Sequence, residues 1–484
     1  MSTTPAAAGR TGSRWLAAAR TGSRRLAAAP RGSRWLAAAR RGSRPVPIGP
    51  LALVALVVVA GGLRLWGLSR PGRIIFDETY YVTDARAYLD HGAEDERPAH
   101  PPLGKWVIAA GMAVVGDRPV GWRISNALLG TATVAAVAGS GRLLSRRWWP
   151  GLLAGLLVAL DGLAFVGSRI GMLDASLTWW VTAAALLLTL DAVRPGGRRR
   201  WPGGWRVGAG ALLGLAAATK WSGVLAIGSA LLVAALTDAG GTTWRTVLRR
   251  APGRLLLPLV AVPILAYLAS YGPWLASYPS TETYRDQCDQ GRCGTGVGDR
   301  LLGLWVEHRE IVSFHEHLEA THPDRSDAWQ WPLLDKPVLF YLERCESVSE
   351  TCSTPPGRTR RILSLGSPAL WWPALAALPV LAGVALRRRW VPAMVPLAFA
   401  FGQWVPWLAE PKPGYAFYLM PAVPFVALGV ALLCAAIRGR TGPPLAAVLA
   451  LASVASFLFW RPFLVGAPLT PDQTERRAVL ASWD

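Results

Sequence analysis

Long apolar segments recur along this chain, and they restrict its fold more than any other feature. The hydrocarbon core of a bilayer is about 30 Å thick, so a helix needs about 20 mostly apolar residues to cross it. Segments of this kind recur between residues 47 and 460. Because 52% of the 484 residues are hydrophobic and only 17% are charged, we predict an all-α membrane protein with many spans.

The hydropathy pattern predicts eleven membrane spans. We place them at 47–68, 119–141, 148–167, 174–193, 206–219, 221–237, 254–275, 368–386, 390–409, 414–437 and 442–460. With this number of spans, the tail and the arginine-rich turns fall on one side, which the positive-inside rule makes cytoplasmic. Segments 206–219 and 221–237 allow two interpretations, either two spans joined by a tight external turn at Lys220 or a re-entrant hairpin.

The spans divide the chain into five regions. Residues 1–46 repeat with a period of ten, and the first 44 residues hold ten arginines and no acid. We expect a disordered cytoplasmic tail that lies against anionic lipid, and no nucleic-acid partner. The other regions are an N-terminal transmembrane module at 47–275 with an external loop at 69–118, a second external loop at 276–367, C-terminal transmembrane helices at 368–460 and an external tail at 461–484.

Polar chemistry is concentrated in the two long external loops. Residues 69–104 and 276–367 together hold 21 of the 30 acidic residues, and the same two loops hold all six histidines. Transporters usually place functional charges near the membrane midplane, whereas these spans contain few carboxylates. The pattern therefore favours chemistry at the outer membrane surface, with a polytopic transporter as the alternative from another class.

Four of the five cysteines lie in the second external loop. An oxidising compartment would permit disulfides there, and closeness in sequence favours the pairs Cys345–Cys352 and Cys288–Cys293. Zinc binding is the alternative, but the CxxC spacing of zinc sites is missing. The fifth cysteine, Cys434, lies within a span as a small buried residue.

Two adjacent carboxylates, Asp77 and Glu78, follow the first span. Carboxylates at a membrane boundary are costly to hold unless they have a role, and one such role is to take a proton from a hydroxyl nucleophile. The alternative is structural, because an aspartate before a helical stretch is a typical N-cap. The local sequence leaves both open.

Three arginines lie near the outward ends of spans, against the positive-inside tendency: Arg64, Arg123 and Arg169. Guanidinium groups bind phosphate in a bidentate manner, so an anionic ligand would explain this placement. Each arginine could instead extend toward lipid headgroups.

Ordered sequence blocks connect these residues to a known family. The blocks are FDETYY at 76–81, HPPLGKW at 100–106, GWRISNALLG at 121–130, SRIGMLD at 168–174, TKWSG at 219–223, FHEHLEATH at 314–322, WQWPLL at 329–334 and GSPALWW at 366–372. In these blocks the chain resembles the protein O-mannosyltransferases, in their actinobacterial form. The resemblance implies a GT-C glycosyltransferase fold and a polyprenyl-phosphate mannose donor.

Carried over residue by residue, the resemblance implies roles for individual side chains. Asp77 is the expected catalytic base, and Glu78 is expected to position the acceptor. Arg64, Arg123 and Arg169 are expected at the donor phosphate. The expected substrate cleft comprises His100, Lys105, Asp174, Lys220, Trp221, His315 and His322. No metal and no cofactor are expected, since the lipid-linked sugar is a substrate. The turn after FHEHLEATH departs from the family's H-x-Y-x-S pattern, reading HPDRS at 322–326.

The function implied by the resemblance is protein O-mannosylation at the cell membrane. Mannose would pass from the donor to Ser or Thr hydroxyls of exported polypeptides in one inverting displacement. The N-terminus would be cytoplasmic and the active site extracytoplasmic, where an unfolded acceptor would arrive from the Sec translocon. The enzyme alternative is another GT-C transferase that moves a lipid-linked sugar to a lipid or glycan.

Overall fold

The computed structural model describes most of the chain. The described residues are 48–94, 99–193, 203–240, 243–318, 322–346, 352–388, 390–437 and 440–483. The predicted cytoplasmic tail at 1–46 lies outside these ranges.

Within the described ranges, nine helical segments are long and apolar enough to cross a membrane, and they coincide with nine of the eleven predicted spans. The helices of the N-terminal half are α1 (Ile48–Leu65), α2 (Glu78–His91), α3 (Leu103–Val115), α4 (Pro119–Ser145), α5 (Trp148–Leu160), α6 (Gly162–Gly167), α7 (Leu173–Val193), α8 (Gly204–Thr219), α9 (Val224–Ala239), α10 (Trp244–Ala251) and α11 (Val262–Ser270). A π-helical segment, Pro252–Ala261, joins α10 to α11.

The second half alternates an external region with the last membrane helices. Its elements are α12 (Gly272–Ala276), α13 (Glu282–Asp289), α14 (Val297–His317), β1 (Val338–Arg344), β2 (Thr359–Ser364), α15 (Pro368–Arg388), α16 (Met394–Trp404), α17 (Val423–Ala436), α18 (Gly442–Val465) and α19 (Pro471–Glu475). Short 3₁₀ turns flank several of them, including Ala416–Ala422 before α17.

The two remaining predicted spans are shorter than expected. Segment 148–167 breaks at Asp161, whose backbone is extended and whose side chain caps α6 by accepting a hydrogen bond from the amide of Ala164. Helix α8 has only 16 residues, or about 24 Å at the α-helical rise. In the first case the break follows from an aspartate capping a new helix inside an apolar run.

Helices α8 and α9 form an antiparallel hairpin beside α7. Lys220, at the turn, pairs with Asp174 at the start of α7. At the other end, Arg206 pairs with Asp191, near the end of α7, and with Asp238, near the end of α9. The hairpin therefore extends along the length of α7, an arrangement that fits the prediction of two spans.

Both loops that were predicted to be external contain regular structure. The loop at 69–118 includes α2 and the apolar helix α3, which packs on α4 through buried Ile108, Ala109 and Met112. The loop at 276–367 contains the antiparallel pair β1–β2, an exception to the all-α prediction. Both predicted disulfides are present in it, Cys288–Cys293 and Cys345–Cys352.

The segment after the last span is packed against the rest of the protein. Leu469 pairs with Thr359 in an antiparallel bridge at the end of β2. Trp483 is 1% exposed, and its indole N–H donates to the carbonyl of Leu334. The predicted external tail at 461–484 is thus part of the folded unit from its first residues, which still belong to α18.

Hydrogen bonds of Asp161 connect the break between α5 and α6 to the start of α15. Asp161 is fully buried, and its second oxygen accepts hydrogen bonds from the amide of Ser367 at 2.9 Å and the indole of Trp371 at 3.0 Å. A buried donor without an acceptor costs about 1–3 kcal/mol. This one carboxylate satisfies three donors, counting Ala164.

We predict that Asp161→Ala lowers stability by ~3 kcal/mol or more, because it leaves three buried donors without an acceptor. Thermal unfolding of purified protein in detergent, followed by tryptophan fluorescence, measures the effect. Glu475→Ala, which removes an exposed carboxylate, is the matched control and should melt with the parent. Equal midpoints for the two variants would contradict this role for Asp161.

Candidate active site

The segment between α1 and α2 places Asp77 by fixing the residue before it. Phe76 has a φ of +49°, in the left-handed region that non-glycine residues rarely occupy. Its ring stacks on Phe340 of β1 at 4.4 Å and meets Phe417 edge-on at 5.8 Å. These ring contacts hold an unfavourable backbone conformation, which is typical of functional sites.

Asp77 stands at the N-cap position of α2 but does not act as a cap. Its side chain makes no capping hydrogen bond, so the structural alternative raised by the sequence does not apply. Burial raises the pKa of Asp77 to about 6, with Lys220 lowering it and Asp174 raising it. The carboxylate is thus ionised at neutral pH and close to the range suited to accepting a proton.

A buried ion pair faces Asp77. The ammonium of Lys220 lies 3.1 Å from one carboxylate oxygen of Asp174 and 3.3 Å from the other. It also sits 4.6 Å from the ring centroid of Tyr418, a cation–π distance. Lys220 can reach this position because it is the extended residue between α8 and the following turn.

A cleft of about 420 Å³ opens beside these residues. Lys220, Tyr415 and Tyr418 line it, and each interacts electrostatically with Asp77. Its aromatic lining is Trp221, Trp329, Trp331, Trp407, Tyr415 and Tyr418, and its charged or imidazole lining is His100, Lys220, His315, Arg325, Asp327, Glu410 and Lys412. The structure thus brings together four of the predicted cleft residues: His100, Lys220, Trp221 and His315.

Two histidines form one wall of the cleft. The rings of His100 and His315 lie 5.2 Å apart, and His315 contacts the carbonyl of Ala99 through Nε2 at 2.8 Å. Burial is the main cause that lowers the pKa of both, with Lys220 and His315 adding to the effect at His100. Both imidazoles are therefore neutral at pH 7 and available for hydrogen bonding.

The described residues contain one group of three potential metal ligands within 4.8 Å of one another, Glu343 with Cys345 and Cys352. The two cysteines form a disulfide, which removes their thiolates as ligands. Among the described residues, His315, His317 and His322 do not form such a group.

Glu78 and Arg123, predicted to contact acceptor and donor, instead bind each other. Arg123 donates to both carboxylate oxygens of Glu78, at 2.6 and 2.7 Å, and both side chains are almost fully buried. The other Arg123 donors reach the carbonyls of Leu68, Pro71 and Arg73. All five N–H groups are occupied by protein, so none is left for a phosphate.

Glu78 also accepts hydrogen bonds from backbone amides. Ile75 donates at 3.1 Å and Gly171 at 2.8 Å. Since the side chain is 0% exposed, it does not reach an acceptor peptide. The predicted positioning role is replaced by a structural one, which links the segment before α2 to the segment before α7.

Arg64 and Arg169 likewise face the protein. Arg64 is 0% exposed, with Nε donating to Ser168 at 3.0 Å and its other nitrogens near backbone carbonyls. Arg169 donates through Nη1 to the carbonyls of Leu63, Arg64 and Trp66, which closes the end of α1. The three arginines lie close together, yet none lines the cleft beside Asp77.

Two of the other predicted cleft residues lie elsewhere. Lys105 is 1% exposed, and its ammonium pairs with Asp84 at 3.0 Å, so it joins α3 to α2 without reaching the cleft. His322 packs edge-on against Tyr415 at 5.7 Å and Phe76 at 6.2 Å. It therefore packs against aromatic residues next to Asp77 and does not line the cleft.

The segment 410–418, EPKPGYAFY, was not among the predicted cleft residues. It contributes Glu410, Lys412, Tyr415 and Tyr418 to the cleft. The available signal was its composition, since charged, proline and tyrosine residues interrupt an apolar region just where a span was predicted to begin.

Comparisons with known proteins identify the family of this chain. Two family models match: "Dolichyl-phosphate-mannose-protein mannosyltransferase" over residues 99–267 and "C-terminal four TMM region of protein-O-mannosyltransferase" over residues 301–483. A polyprenol-phosphate-mannose–protein mannosyltransferase of Mycobacterium tuberculosis is 33% identical over 487 residues, covering 89% of this chain and 90% of the relative. The Corynebacterium glutamicum protein of the same name is 33% identical over 81% of this chain and 82% of the relative.

A solved structure shows the same fold. A chain of the S. cerevisiae protein O-mannosyltransferase Pmt1–Pmt2 complex bound to the sugar donor matches with a TM-score of 0.76 at 14% identity, over 93% of this chain and 94% of that chain. The GT-C fold predicted from the sequence is confirmed by this likeness.

We predict that Glu78→Gln is destabilising, because it leaves the Arg123 guanidinium buried without its counter-charge. Breaking a buried ion pair in this way costs about 3–5 kcal/mol. The measurement is the thermal midpoint in detergent, together with the monodisperse fraction on size exclusion. Adding Arg123→Met should recover part of the loss.

If Glu78 served only to position the acceptor, Glu78→Gln would melt with the parent and change only the KM for peptide. Asp90→Asn, which removes an exposed carboxylate from the same helix, is the control for a general effect of lost charge on α2.

Proposed function

The chain belongs to the protein O-mannosyltransferase family, and we propose on that basis that it transfers mannose from polyprenyl-phosphate mannose to Ser or Thr hydroxyls of polypeptides, with Asp77 as the catalytic base. The assignment of Asp77 as the base rests on the surroundings of its carboxylate. Its carboxylate makes no capping bond, has a pKa of about 6, and interacts with the buried Lys220, which lines the cleft.

The reaction follows from this geometry. The acceptor hydroxyl gives its proton to the Asp77 carboxylate as its oxygen bonds to the anomeric carbon of mannose. The bond between that carbon and the phosphate oxygen breaks, and its electron pair leaves with the lipid phosphate. One displacement inverts the anomeric configuration.

In this proposal, Lys220 stabilises the leaving phosphate. Arg64 and Arg123 have their donors engaged by protein, whereas Lys220 lines the cleft and interacts with Asp77. Its ammonium has three donors, and Asp174 takes part of that capacity. A cation held in place at a buried site stabilises developing negative charge more strongly than one in water.

The acceptor side of the cleft is broad and aromatic. Trp329 is 57% exposed and stands with Trp331 and Trp407 among the lining residues. Such a surface suits an extended chain whose side chains lie across rings. We infer an unfolded acceptor, as delivered by the Sec translocon to an exported protein.

The orientation in the cell membrane is part of the proposal. Asp77, Asp174 and Lys220 lie at one end of the bundle, and the ion cluster of Arg206, Asp191 and Asp238 lies at the other. The arginine-rich turns follow the second end, which the positive-inside rule makes cytoplasmic. The active site is then extracytoplasmic and the N-terminus cytoplasmic.

The alternatives have less support. A transporter would need charges near the midplane, whereas Asp174 and Asp191 lie near the ends of α7 and Asp161 is saturated by structural hydrogen bonds. A GT-C transferase with a lipid or glycan acceptor shares the fold, but the relatives that match most of the chain are named as acting on proteins.

We predict that Asp77→Asn lowers the rate of mannose transfer by about 10²–10⁴-fold, since that is the usual contribution of a positioned proton acceptor. Purified protein is incubated with polyprenyl-phosphate mannose and a Ser/Thr-rich peptide, and hexose addition is followed by mass spectrometry. Asp90→Asn is the matched control and should keep the parent rate. A variant at position 77 with more than about a tenth of the parent rate would contradict the assignment.

The same assay tests the pKa of Asp77. Activity of the parent should rise with pH through about 6 and level above it, because the base must be ionised. Ionisation of Asp77 between about pH 4 and 6 disfavours the folded state, since its pKa in the fold exceeds the unfolded value. Asp77→Asn should therefore not lower the thermal midpoint at pH 7, which separates lost chemistry from lost structure.

We predict that single cysteines at Glu475 and Arg249, both exposed, will differ in labelling. In intact cells, with the native cysteines replaced, an impermeant thiol reagent should label position 475 and not position 249. Both should label after the membrane is permeabilised. Labelling of position 249 in intact cells would reverse the proposed orientation.

A further inference from the structure

A second cavity lies at the same end of the bundle as Asp77, where α1 and α18 end. Its volume is about 580 Å³. None of its lining residues also lines the cleft beside Asp77. Four arginines, Arg70, Arg169, Arg360 and Arg461, contribute to its wall, and no carboxylate of the described residues does.

The charge of this cavity is poorly compensated by the protein. The nearest carboxylate oxygen recorded for Arg360 belongs to Glu343, at 3.9 Å, which is beyond hydrogen-bond distance. The Nε of Arg360 is buried and has no hydrogen-bond partner in the described part of the chain. Burial is the main cause that lowers the pKa of Arg169 to about 10, and the nearby guanidinium groups of Arg123 and Arg461 add to the effect.

Helix-end stabilisation explains only part of this cluster. Arg169 satisfies carbonyls at the end of α1, and Arg461 lies near the end of α18, where a cation is favourable. Arg70 follows α1 by several residues and Arg360 lies on β2. Arg360 stands opposite Glu343 in the β1–β2 pair and near its carboxylate, so Arg70 is the cation of this wall that such roles leave unexplained.

The rest of the wall is largely apolar and includes exposed side chains of a helix that is apolar enough to span a membrane. Val59, Leu63, Phe165 and Val465 line the cavity below the arginines. Val59 is 58% exposed and Trp66, at the rim, is 77% exposed. An indole at this level is typical of a membrane–water interface. The site thus has a cationic part and an apolar part that opens toward lipid, which matches an amphiphile better than a free anion.

We propose that this cavity binds the phosphate group of a membrane lipid, with the lipid chain lying along α1 and α18. The phosphate could belong to an anionic glycerophospholipid or to a polyprenyl phosphate, because guanidinium groups recognise either. The site is separate from the transfer cleft, so the proposal does not depend on the assignment of Asp77.

Native mass spectrometry of the full-length protein in nonionic detergent tests this proposal. Three lipids are titrated separately: phosphatidylglycerol, phosphatidylcholine and undecaprenyl phosphate. The test variant is Arg70→Gln with Arg461→Gln, which leaves the structural Arg169 in place. The control, Arg292→Gln with Arg476→Gln, removes two exposed arginines that do not line this cavity.

The parent and the control should bind phosphatidylglycerol or undecaprenyl phosphate saturably and phosphatidylcholine weakly. In the test variant, which lacks two cations, the affinity should fall about twenty-five-fold, since each cation near a lipid phosphate contributes roughly fivefold. Loss of only the undecaprenyl phosphate complex would identify the polyprenyl lipid as the ligand, and loss of only the phosphatidylglycerol complex would identify the phospholipid.

Two results would overturn the proposal. One is equal binding of the anionic lipids by the test and control variants. The other is binding of phosphatidylcholine by the parent as tightly as the anionic lipids, because the net charge of the lipid would then not be recognised. Thermal midpoints in lipid-free detergent, expected to be equal for all three proteins, show whether the test variant is folded.

Discussion

The buried ion pair between Glu78 and Arg123 is the interaction on which the arrangement of the active site depends. It connects the first turn of α2 to α4, and through the remaining donors of Arg123 it fixes the carbonyls of the segment 68–73. Glu78 also accepts a hydrogen bond from the amide of Gly171, just before α7. A bidentate pair with all lone pairs and protons satisfied is the condition under which such charges are tolerated in a low-dielectric interior.

This pair explains how two adjacent carboxylates acquire opposite roles. Glu78 is the first residue of α2 and turns into the protein, where it is held by four donors. Asp77 precedes the helix, and the left-handed backbone at Phe76 turns it toward Lys220 and the tyrosines. Glu78 is a structural anchor, whereas Asp77 makes no capping hydrogen bond and is the residue proposed to exchange a proton, because their surroundings differ.

The cations of the same region also divide into two groups. Arg64 and Arg123 stabilise the protein, and Arg169 closes α1 while contributing to a separate cavity with Arg461. Lys220 alone among the buried cations lines the transfer cleft with Asp174 as its partner. A guanidinium can satisfy several carbonyls at once, whereas an ammonium is a compact charge that remains suited to a leaving phosphate.

The sequence by itself determined the polytopic helical architecture, the ordered family blocks and both disulfide pairings, and it singled out Asp77 as the candidate base. These follow from local properties: apolar length, the side on which arginines lie, closeness of cysteines and a recognisable motif order. Only the tertiary structure decided which partner each charged side chain takes. Glu78 and Arg123 are 45 residues apart, and Lys220 and Asp174 are 46 apart, so no local pattern reveals that the first pair is saturated and the second faces a cleft. The same holds for the segment 410–418, whose tyrosines reach Asp77 only because the helices that carry them pack together.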